Sequence, residues 1–285
     1  MHQTPSSETG SPQVVTVIHK PRPGWQTIDL DELWRYRDLY YFLVWRGIKV
    51  RYVQSILGFG WAIAQPVLTM IVFTIIFGRL VSVGSDGVPY AIFSYTALVP
   101  WIYFSGSVTE ATHSLIHDTN LLNKVYFPRL LMPLVAVSGR LIDFGIAIMV
   151  LFGLMVWYQV VPSVSVLVLP FLILLMVITA TGLGMWLTAL AILYRDVQYG
   201  LQFGVHLMMY LTPVVYPVSL VPEQFRLFYA INPMTGVVEG FRSALLGTNP
   251  MPWDLLAVSS VTAVLILIFG AQYFRRTELI FADVA

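Results

Sequence analysis

The spacing of charged residues along this chain predicts where it crosses a membrane. Five long stretches contain no Asp, Glu, Lys or Arg, and they cover 52–78, 87–109, 144–194, 197–222 and 255–274. A spanning helix needs about 20 mostly apolar residues, so four of these stretches hold one helix each. The remaining stretch, 144–194, would form a helix about 76 Å long, so it holds two helices separated by a turn at 158–166.

The sequence therefore predicts an all-α integral membrane protein with six transmembrane helices. The predicted spans are 60–80, 89–111, 136–158, 165–191, 198–219 and 253–274. A β-barrel is the other structure that satisfies its own backbone in lipid, and its strands alternate in polarity over about ten residues. The segments 171–180 and 261–270 do not alternate, which favours helices.

An even number of crossings places both termini on the same side of the membrane. Loops on the cytoplasmic side are enriched in lysine and arginine. Of the 16 lysine and arginine residues, all but Arg79, Arg226 and Arg242 fall on the side of the termini. Both termini are therefore predicted to be cytoplasmic.

The regions outside the spans have patterns of their own. A polar tail, 1–28, precedes an amphipathic helix, 29–51, and the transmembrane domain covers 52–285. Aromatic and basic residues occupy different faces of 29–51, so this helix is expected to lie in the membrane interface, either as a plain anchor or with a further role. The loop 112–134 contains apolar and basic residues with no evident internal partner, and it is either a linker or a docking element for a cytoplasmic subunit.

The external segment 219–252 is long for a connection and too apolar for a solvated loop. It predicts two short amphipathic helices, with Pro222 and Pro233 at their first positions, Asn232 as a cap and Gly247 as a stop. Each helix is too short to cross the bilayer. We therefore predict a re-entrant hairpin between the fifth and sixth spans.

Composition narrows the classes of function. Only 11% of the 285 residues are charged and 57% are hydrophobic, whereas soluble domains carry about 25% charged residues, so a water-soluble enzyme is excluded. The net charge of +1 gives no basic field for nucleic acid. The chain has no cysteine, which excludes thiol catalysis and Cys-ligated zinc. It also has no Gly-Lys pair, hence no phosphate-binding loop of the P-loop type, so the chain itself is predicted not to hydrolyse ATP.

Few titratable side chains lie near the predicted spans. Arg140 and Asp143 are three residues apart at the start of the third span, and we predict that they pair at the inner interface. Glu110, Asp118 and Asp143 are too scattered along the sequence to favour an intramembrane enzyme. His113, four residues before a second histidine, lacks the further carboxylates that a metal site needs, so no metal is predicted.

One group of aromatic residues has two possible roles. Its members are Tyr95, Trp101, Tyr103 and Phe104. They form either an aromatic belt at the membrane interface or a lining on which sugar rings stack, and the sequence does not separate these alternatives.

Seven segments together resemble one known family, in the same order along the chain. They are ELWRYRDLYYFLVWRGIKVRYVQSILGFGWAIAQPVLTM (32–70), YTALVPWIYFSGSV (95–108), NKVYFPRLLMPL (123–134), LYRDVQYG (193–200), LTPVVYPVSLVP (211–222), INPMTGVVEGFRSALLG (231–247) and YFRRTELIFADV (273–284). The set resembles permease subunits of ABC-2 type polysaccharide exporters, which move O-antigen, capsule or teichoic acid. One departure is Gly47–Ile48, where many relatives have an acidic residue after the arginine.

The resemblance implies a half-transporter of the bacterial cytoplasmic membrane that forms a homodimer and pairs with two separate ATPase subunits. ATP and magnesium would bind to those partners, and this chain would carry no cofactor. The substrate would be a polysaccharide on a polyprenyl pyrophosphate carrier within the lipid membrane. An ABC-2 permease for a small drug or lipid is the alternative.

The resemblance also assigns candidate sites. Residues of 112–134 and the fourth loop would couple to the ATPase: Asn120, Leu121, Leu122, Asn123, Lys124, Val125, Tyr126, Phe127, Arg195 and Asp196. The segment 29–50 would be the interface helix, and its end would receive the anionic head group of the substrate through Arg37, Arg46, Lys49 and Arg51. Positive-inside anchoring explains these four basic residues equally well. The segment 219–252 would form the external gate, and the expected path and gate residues are Tyr95, Trp101, Tyr103, Phe104, Glu239 and Arg242.

Overall fold

The computed structural model describes residues 30–53, 58–117 and 127–278, and every regular element in these ranges is helical, as predicted. The helices are α1 (Leu30–Arg35), α2 (Arg37–Val53), α3 (Gly60–Phe73), α4 (Tyr90–His117), α5 (Leu131–Gly139), α6 (Leu141–Trp157), α7 (Leu169–Leu193), α8 (Asp196–Leu211), α9 (Glu223–Tyr229), α10 (Pro233–Leu246) and α11 (Trp253–Glu278). A π-helical segment, Thr74–Leu80, continues α3. Two 3-10 segments, Val164–Val168 and Val218–Leu220, precede α7 and α9.

Within the described ranges, five helical segments are long and apolar enough to cross a membrane. They are Gly60–Leu80, Tyr90–Ile116, Leu131–Trp157, Val164–Leu193 and Trp253–Glu278. These segments match five of the six predicted spans. Their positions agree with the charge-free stretches of the sequence.

The remaining predicted span, 198–219, is occupied by the shorter helix α8. With 16 residues, α8 is about 24 Å long against a hydrocarbon core of about 30 Å. It ends at Leu211 because Thr212, which precedes Pro213, has extended backbone with φ −95° and ψ 139°. A residue before proline is disfavoured in the helical conformation.

Helix α4 lies at the centre of the bundle, in contact with α3, α5, α6, α7, α8 and α10. Other helices surround it, so it carries hydroxyl side chains that a lipid-facing helix would not favour. Ser94, Thr96 and Thr112 are fully buried, and each donates to a carbonyl three or four residues earlier in α4, at 2.8 to 3.1 Å. Satisfied in this way, the hydroxyls cost little in an apolar surrounding.

Glycines allow the closest helix crossings in the bundle. A Cβ atom at Gly182 of α7 would lie 2.6 Å from the backbone nitrogen of Leu267 in α11. In the motif Gly236–Gly240 of α10, a Cβ at the first glycine would lie 2.5 Å from Ser259 Oγ. The second GxxxG motif, Gly200–Gly204 of α8, has open space at both positions. Of these two motifs, the α10 motif is the one that serves close helix packing among the described residues.

The bundle has two ends with different contents. One end contains an apolar cluster that is shared by α2, α4, α5, α7 and α11. We call this end the basic end because Arg129 and Arg275 are sequence neighbours of members of this cluster. The buried members of the cluster are Leu43, Leu115, Phe127, Leu130, Leu131, Met132, Met185, Ala189, Ala271 and Phe274. At the opposite end, the Asp86 carboxylate accepts hydrogen bonds from Ser219 Oγ at 3.0 Å and Asn249 Nδ2 at 2.8 Å. Asp86 thus connects the loops before α4, α9 and α11.

Candidate functional site

Four charged side chains form a closed ionic ring toward the basic end: Arg51 of α2, Glu110 of α4, Arg140 between α5 and α6, and Asp143 of α6. Arg51 Nη2 donates to both oxygens of Glu110, at 2.6 Å for Oε2, and Arg51 Nη1 lies 3.1 Å from Asp143 Oδ2. Arg140 Nε donates to Glu110 Oε2 at 2.6 Å, and its Nη1 lies 3.5 Å from Asp143 Oδ2. Both carboxylates are shared by both arginines, so two positive charges balance two negative charges.

The ionic ring lies about one hydrocarbon thickness from the far end of α4. Glu110 follows Tyr90, the first residue of α4, by 20 residues, which is about 30 Å of helix. This position agrees with the inner interface predicted for Arg140 and Asp143. Their predicted pairing is confirmed.

Glu110 and Asp143 are far apart in the sequence, but the fold brings them together. They share Arg51 and Arg140 because α4 and α6 pack side by side. The sequence carried a signal for this, since one acid ends a predicted span and the other begins the next. Adjacent antiparallel spans place such positions at the same depth. Asp118, the third acidic residue considered, lies outside the described residues.

The predicted interface helix is present as two helices, α1 and α2, that meet at Tyr36. One face of α2 packs on the bundle through the buried side chains of Leu43, Ile48 and Tyr52. Its other faces are open, and the large exposed residues of α1 and α2 are Trp34, Tyr41, Phe42, Trp45, Val50 and Val53. An apolar face of this kind fits a helix in the membrane interface.

The structure divides the four predicted head-group residues. Arg37, Arg46 and Lys49 are exposed on α2, with Arg37 Cζ 5.1 Å from the centroid of the Trp34 ring. Arg51, in contrast, contacts two carboxylates in the ionic ring. Its charge is therefore already balanced within the chain. Binding of a head group by the other three residues stays a prediction.

Most of the predicted coupling residues, Asn120 to Tyr126, lie outside the described residues. Phe127, the last residue of that group, is only 4% exposed and belongs to the apolar cluster of the basic end. Its side chain therefore has little surface to offer a partner. Arg195 and Asp196 are exposed at the turn between α7 and α8, and their part in coupling stays a prediction.

At the opposite end, Glu239 and Arg242, which are three residues apart in α10, form a buried pair. Arg242 Nη1 donates to Glu239 Oε1 at 2.7 Å and to the carbonyl of Pro213 at 2.6 Å, while Nη2 donates to the carbonyl of Val214 at 2.8 Å. The guanidinium lies 3.7 Å from the centroid of the Phe93 ring in α4. We call this group the buried clamp, because it joins α10, the segment after α8, and α4.

The external helices predicted within 219–252 are present as α9 and α10. Asn232 caps α10 by accepting a hydrogen bond from the backbone nitrogen of Met234 at 3.1 Å, and Pro233 is the first helical residue. Gly247 ends α10 in the left-handed conformation, with φ 65°. Pro222 lies one residue before α9 instead of at its first position.

The four aromatic candidates for a substrate path are Tyr95, Trp101, Tyr103 and Phe104. All four are at most 3% exposed and belong to the core around α4. Tyr95 Oη donates to the carbonyl of Ala147 at 3.3 Å, and Tyr103 Oη donates to the carbonyl of Val137 at 3.2 Å. Their contacts in this chain are those of packed core residues. A role on the substrate path stays a prediction.

Sequence reasoning missed a mixed polar and aromatic stripe on α8. Tyr199, Gln202, Phe203, His206 and Tyr210 are all exposed. They recur at the spacing that places side chains on one helix face. The stripe contains two polar side chains, and the hydrogen bond of His206 Nδ1 is with the carbonyl of Gln202 in its own helix, at 2.6 Å. The signal was present in the sequence as this spacing within an otherwise apolar segment.

The ionic ring and the buried clamp both lie in the part of the chain that matches a known sequence family. The sequence model of the ABC-2 type transporter family matches residues 38–246, which extend from α2 to α10. The chain belongs to the ABC-2 type transporter family. This confirms the resemblance found in the sequence.

Curated relatives match nearly the whole chain. It is 27% identical over 248 residues to the O-antigen export system permease protein RfbA of Klebsiella pneumoniae and 29% identical over 250 residues to the RfbA protein of Myxococcus xanthus, covering 87% of this chain and 95% of each relative. It is also 24% identical over 240 residues to the polysialic acid transport protein KpsM of Escherichia coli, covering 82% of this chain and 91% of the relative.

Replacing Arg242 with methionine should destabilise the protein strongly, because Glu239 then stays buried without its partner. Breaking a buried ion pair costs about 3–5 kcal/mol. Thermal unfolding of the purified protein in detergent measures the effect. The double variant Glu239→Gln with Arg242→Met should be less damaging than Arg242→Met alone. The control is Arg226→Met, whose partner Glu223 is 90% exposed at 3.8 Å. Equal stability of the two single variants would contradict a structural role for the buried clamp.

Proposed function

We propose that this chain is the membrane-spanning permease subunit of an ATP-driven exporter for a polyprenyl-pyrophosphate-linked, O-antigen-like polysaccharide. The observation that carries the proposal is the alignment with O-antigen export permeases over 87% of this chain and 95% of each relative. An ABC-2 permease for a small drug or lipid would share the family, but the relatives named above are all polysaccharide transport proteins.

Deleting the gene should trap the polymer on the cytoplasmic side of the inner membrane, because the carrier lipid cannot flip such a chain unaided. A lectin or antibody against the polymer should then stain permeabilised cells and fail to stain intact ones. Restoring the gene should return the surface signal. Normal surface polymer in the deletion strain, together with loss of a small-molecule efflux activity, would favour the drug or lipid permease.

The proposed topology has six crossings, with the basic end in the cytoplasm. Helix α8 begins directly after Arg195, beside the exposed turn that follows α7, and its C-terminal segment reaches the buried clamp at the opposite end. It therefore runs from one end of the bundle to the other, although its helical part is short. With six crossings, an even number, α11 ends at the basic end. The excess of basic residues there supports a cytoplasmic location for this end.

The proposed partners are two copies of an ATP-binding cassette subunit and a second copy of this chain. The chain has no P-loop, so ATP and magnesium would bind to the partner subunit. The segment 112–134 is the proposed docking element, and the Phe127 ring within it is buried. Arg195 and Asp196 lie exposed at the end of α7, available for the same partner.

Replacing Tyr126 with aspartate should abolish copurification of the ATPase subunit, because a charge in an apolar docking contact is costly to desolvate. Pull-down from solubilised membranes measures this, and size-exclusion chromatography confirms that the permease itself is intact. Phe127→Leu serves as the matched control, since it keeps an apolar anchor in the cluster. The permease purified alone should show no ATP hydrolysis. Normal copurification with Tyr126→Asp would contradict docking through this loop.

The proposed path for the sugar polymer runs along the exposed stripe of α8. Tyr199, Phe203 and Tyr210 offer ring faces for pyranose stacking, and Gln202 and His206 offer hydrogen bonds. Polar side chains facing lipid would be costly, so an aqueous path or a second copy of the chain is the better neighbour. The external hairpin of α9 and α10 would close the outer end of this path.

Because the chain has no native cysteine, single cysteines can report whether α9 dips into the bilayer. Phe228 is 69% exposed, so labelling of Phe228→Cys by an impermeant thiol reagent depends on whether its surroundings are lipid or water. We expect weak labelling there and strong labelling of Glu223→Cys. Val237, which is fully buried in the protein, gives the background. Phe203→Cys should label if α8 lines an aqueous path. Equal rates at positions 223 and 228 would show a solvated loop.

A further inference from the structure

Helix α2 is attached to the rest of the chain by apolar packing, hydrogen bonds and ion pairs. It is too short to be a candidate span, and it packs mainly on α5. Its anchoring side chains are Leu43, Ile48 and Tyr52, together with a hydrogen bond between Tyr40 Oη and Ser138 Oγ. A further attachment is Arg51, in the last turn of α2, through the ionic ring.

Arg51 makes contacts that only a forked guanidinium can make at the same time. Its two terminal nitrogens reach carboxylates on two different helices, Glu110 of α4 and Asp143 of α6. Lysine has a single ammonium and could not reproduce this bridge. The ring thereby joins α2 directly to α4, bypassing α3, which lies between them in sequence.

A glycine next to the ring leaves space for the side chain of Arg140. Arg140 lies at the junction where α5 ends and α6 begins. Gly106, one turn before Glu110, faces the guanidinium of Arg140. A Cβ at Gly106 would lie 3.3 Å from both Cζ and Nη1 of that side chain. The absence of a side chain at Gly106 leaves the room in which Arg140 reaches Glu110.

The ring should behave as one unit. Its four side chains are 18 to 33% exposed, so they are neither fully solvated nor fully buried. Removing one charge leaves an unbalanced charge among the other three, whereas removing an opposite pair restores neutrality. Coupled groups of this kind give non-additive effects when they are mutated together.

We propose that Glu110 and Asp143 are positioning residues for transport, which hold Arg51 and so lock the interface helix α2 onto α4 and α6. The transport part of this inference rests on the proposed function. Arg51 then acts through these carboxylates as a fixed part of the bundle and not as a binding site for the anionic head group. A head group that approaches α2 would meet the exposed Arg37, Arg46 and Lys49 instead.

Accessibility of a cysteine on the buried face of α2 tests the lock. Ile48 is 7% exposed and lies just before Arg51, while Val50 is 63% exposed. Glu110→Gln should raise the rate at which Ile48→Cys reacts with an impermeant thiol reagent about fivefold or more, since loss of a contact shifts local opening. Arg51→Gln should do the same, and Arg51→Lys should give a smaller rise. The rate for Val50→Cys, whatever its value, should be the same in every background.

The double variant Glu110→Gln with Arg51→Gln should react no faster than either single variant. Asp38→Asn is the matched control on the same helix, because its contact with Arg37 is 3.8 Å and the Asp38 side chain is 96% exposed. It should leave labelling at position 48 unchanged. If Glu110→Gln does not give a monodisperse protein, the same labelling experiment is made with Glu110→Asp and Arg51→Lys.

Two outcomes would overturn the proposal: unchanged labelling at position 48 in all ring variants, or effects that add in the double variant. Export of the polymer, measured in cells with the same variants, should fall wherever labelling rises. The labelling itself needs no transport activity. If labelling increases in the ring variants but even the unmodified chain exports no polysaccharide, the role of the ring in holding α2 is supported and the proposed function is refuted.

Discussion

Every charge close to the membrane core has to find its partner within the protein, because lipid offers none. This constraint accounts for the ionic ring toward the basic end and the buried clamp at the opposite end. Each joins helices that are far apart in sequence. In lipid, apolar contact between helices brings little hydrophobic gain. The two clusters therefore supply directional contacts between packed elements.

Helix α4 takes part in both clusters. Glu110 near its C-terminal end contacts both arginines of the ionic ring, and Phe93 near its start lies under the guanidinium of Arg242. These two residues are 17 positions apart, about 26 Å along a helix. The central helix thus connects the basic end of the bundle directly to the opposite end.

Much of this architecture could be predicted from the sequence, because the lengths of charge-free segments and the spacing of caps are local properties. The helical class, five spans, the Asn232 cap and the Glu239–Arg242 pair all follow from residues close together in the chain. The ring could not be predicted in full, because Arg51 meets Glu110 only through tertiary packing. Burial of Tyr95 and Trp101 was also missed, since an aromatic at an interface and one in a core have the same local pattern.

Helix α8 departs from the pattern that governs the rest of the bundle. Its exposed stripe holds Gln202 and His206 among aromatic rings, and the latter is satisfied only by its own backbone. The ionic ring and the buried clamp, in contrast, are paired between elements that are distant in sequence. A face that keeps hydrogen-bonding capacity open at membrane depth is incomplete in a single chain. The proposed dimer with an aqueous path between its subunits would complete this face, and it would place the stripe next to the polymer that the exporter is proposed to move.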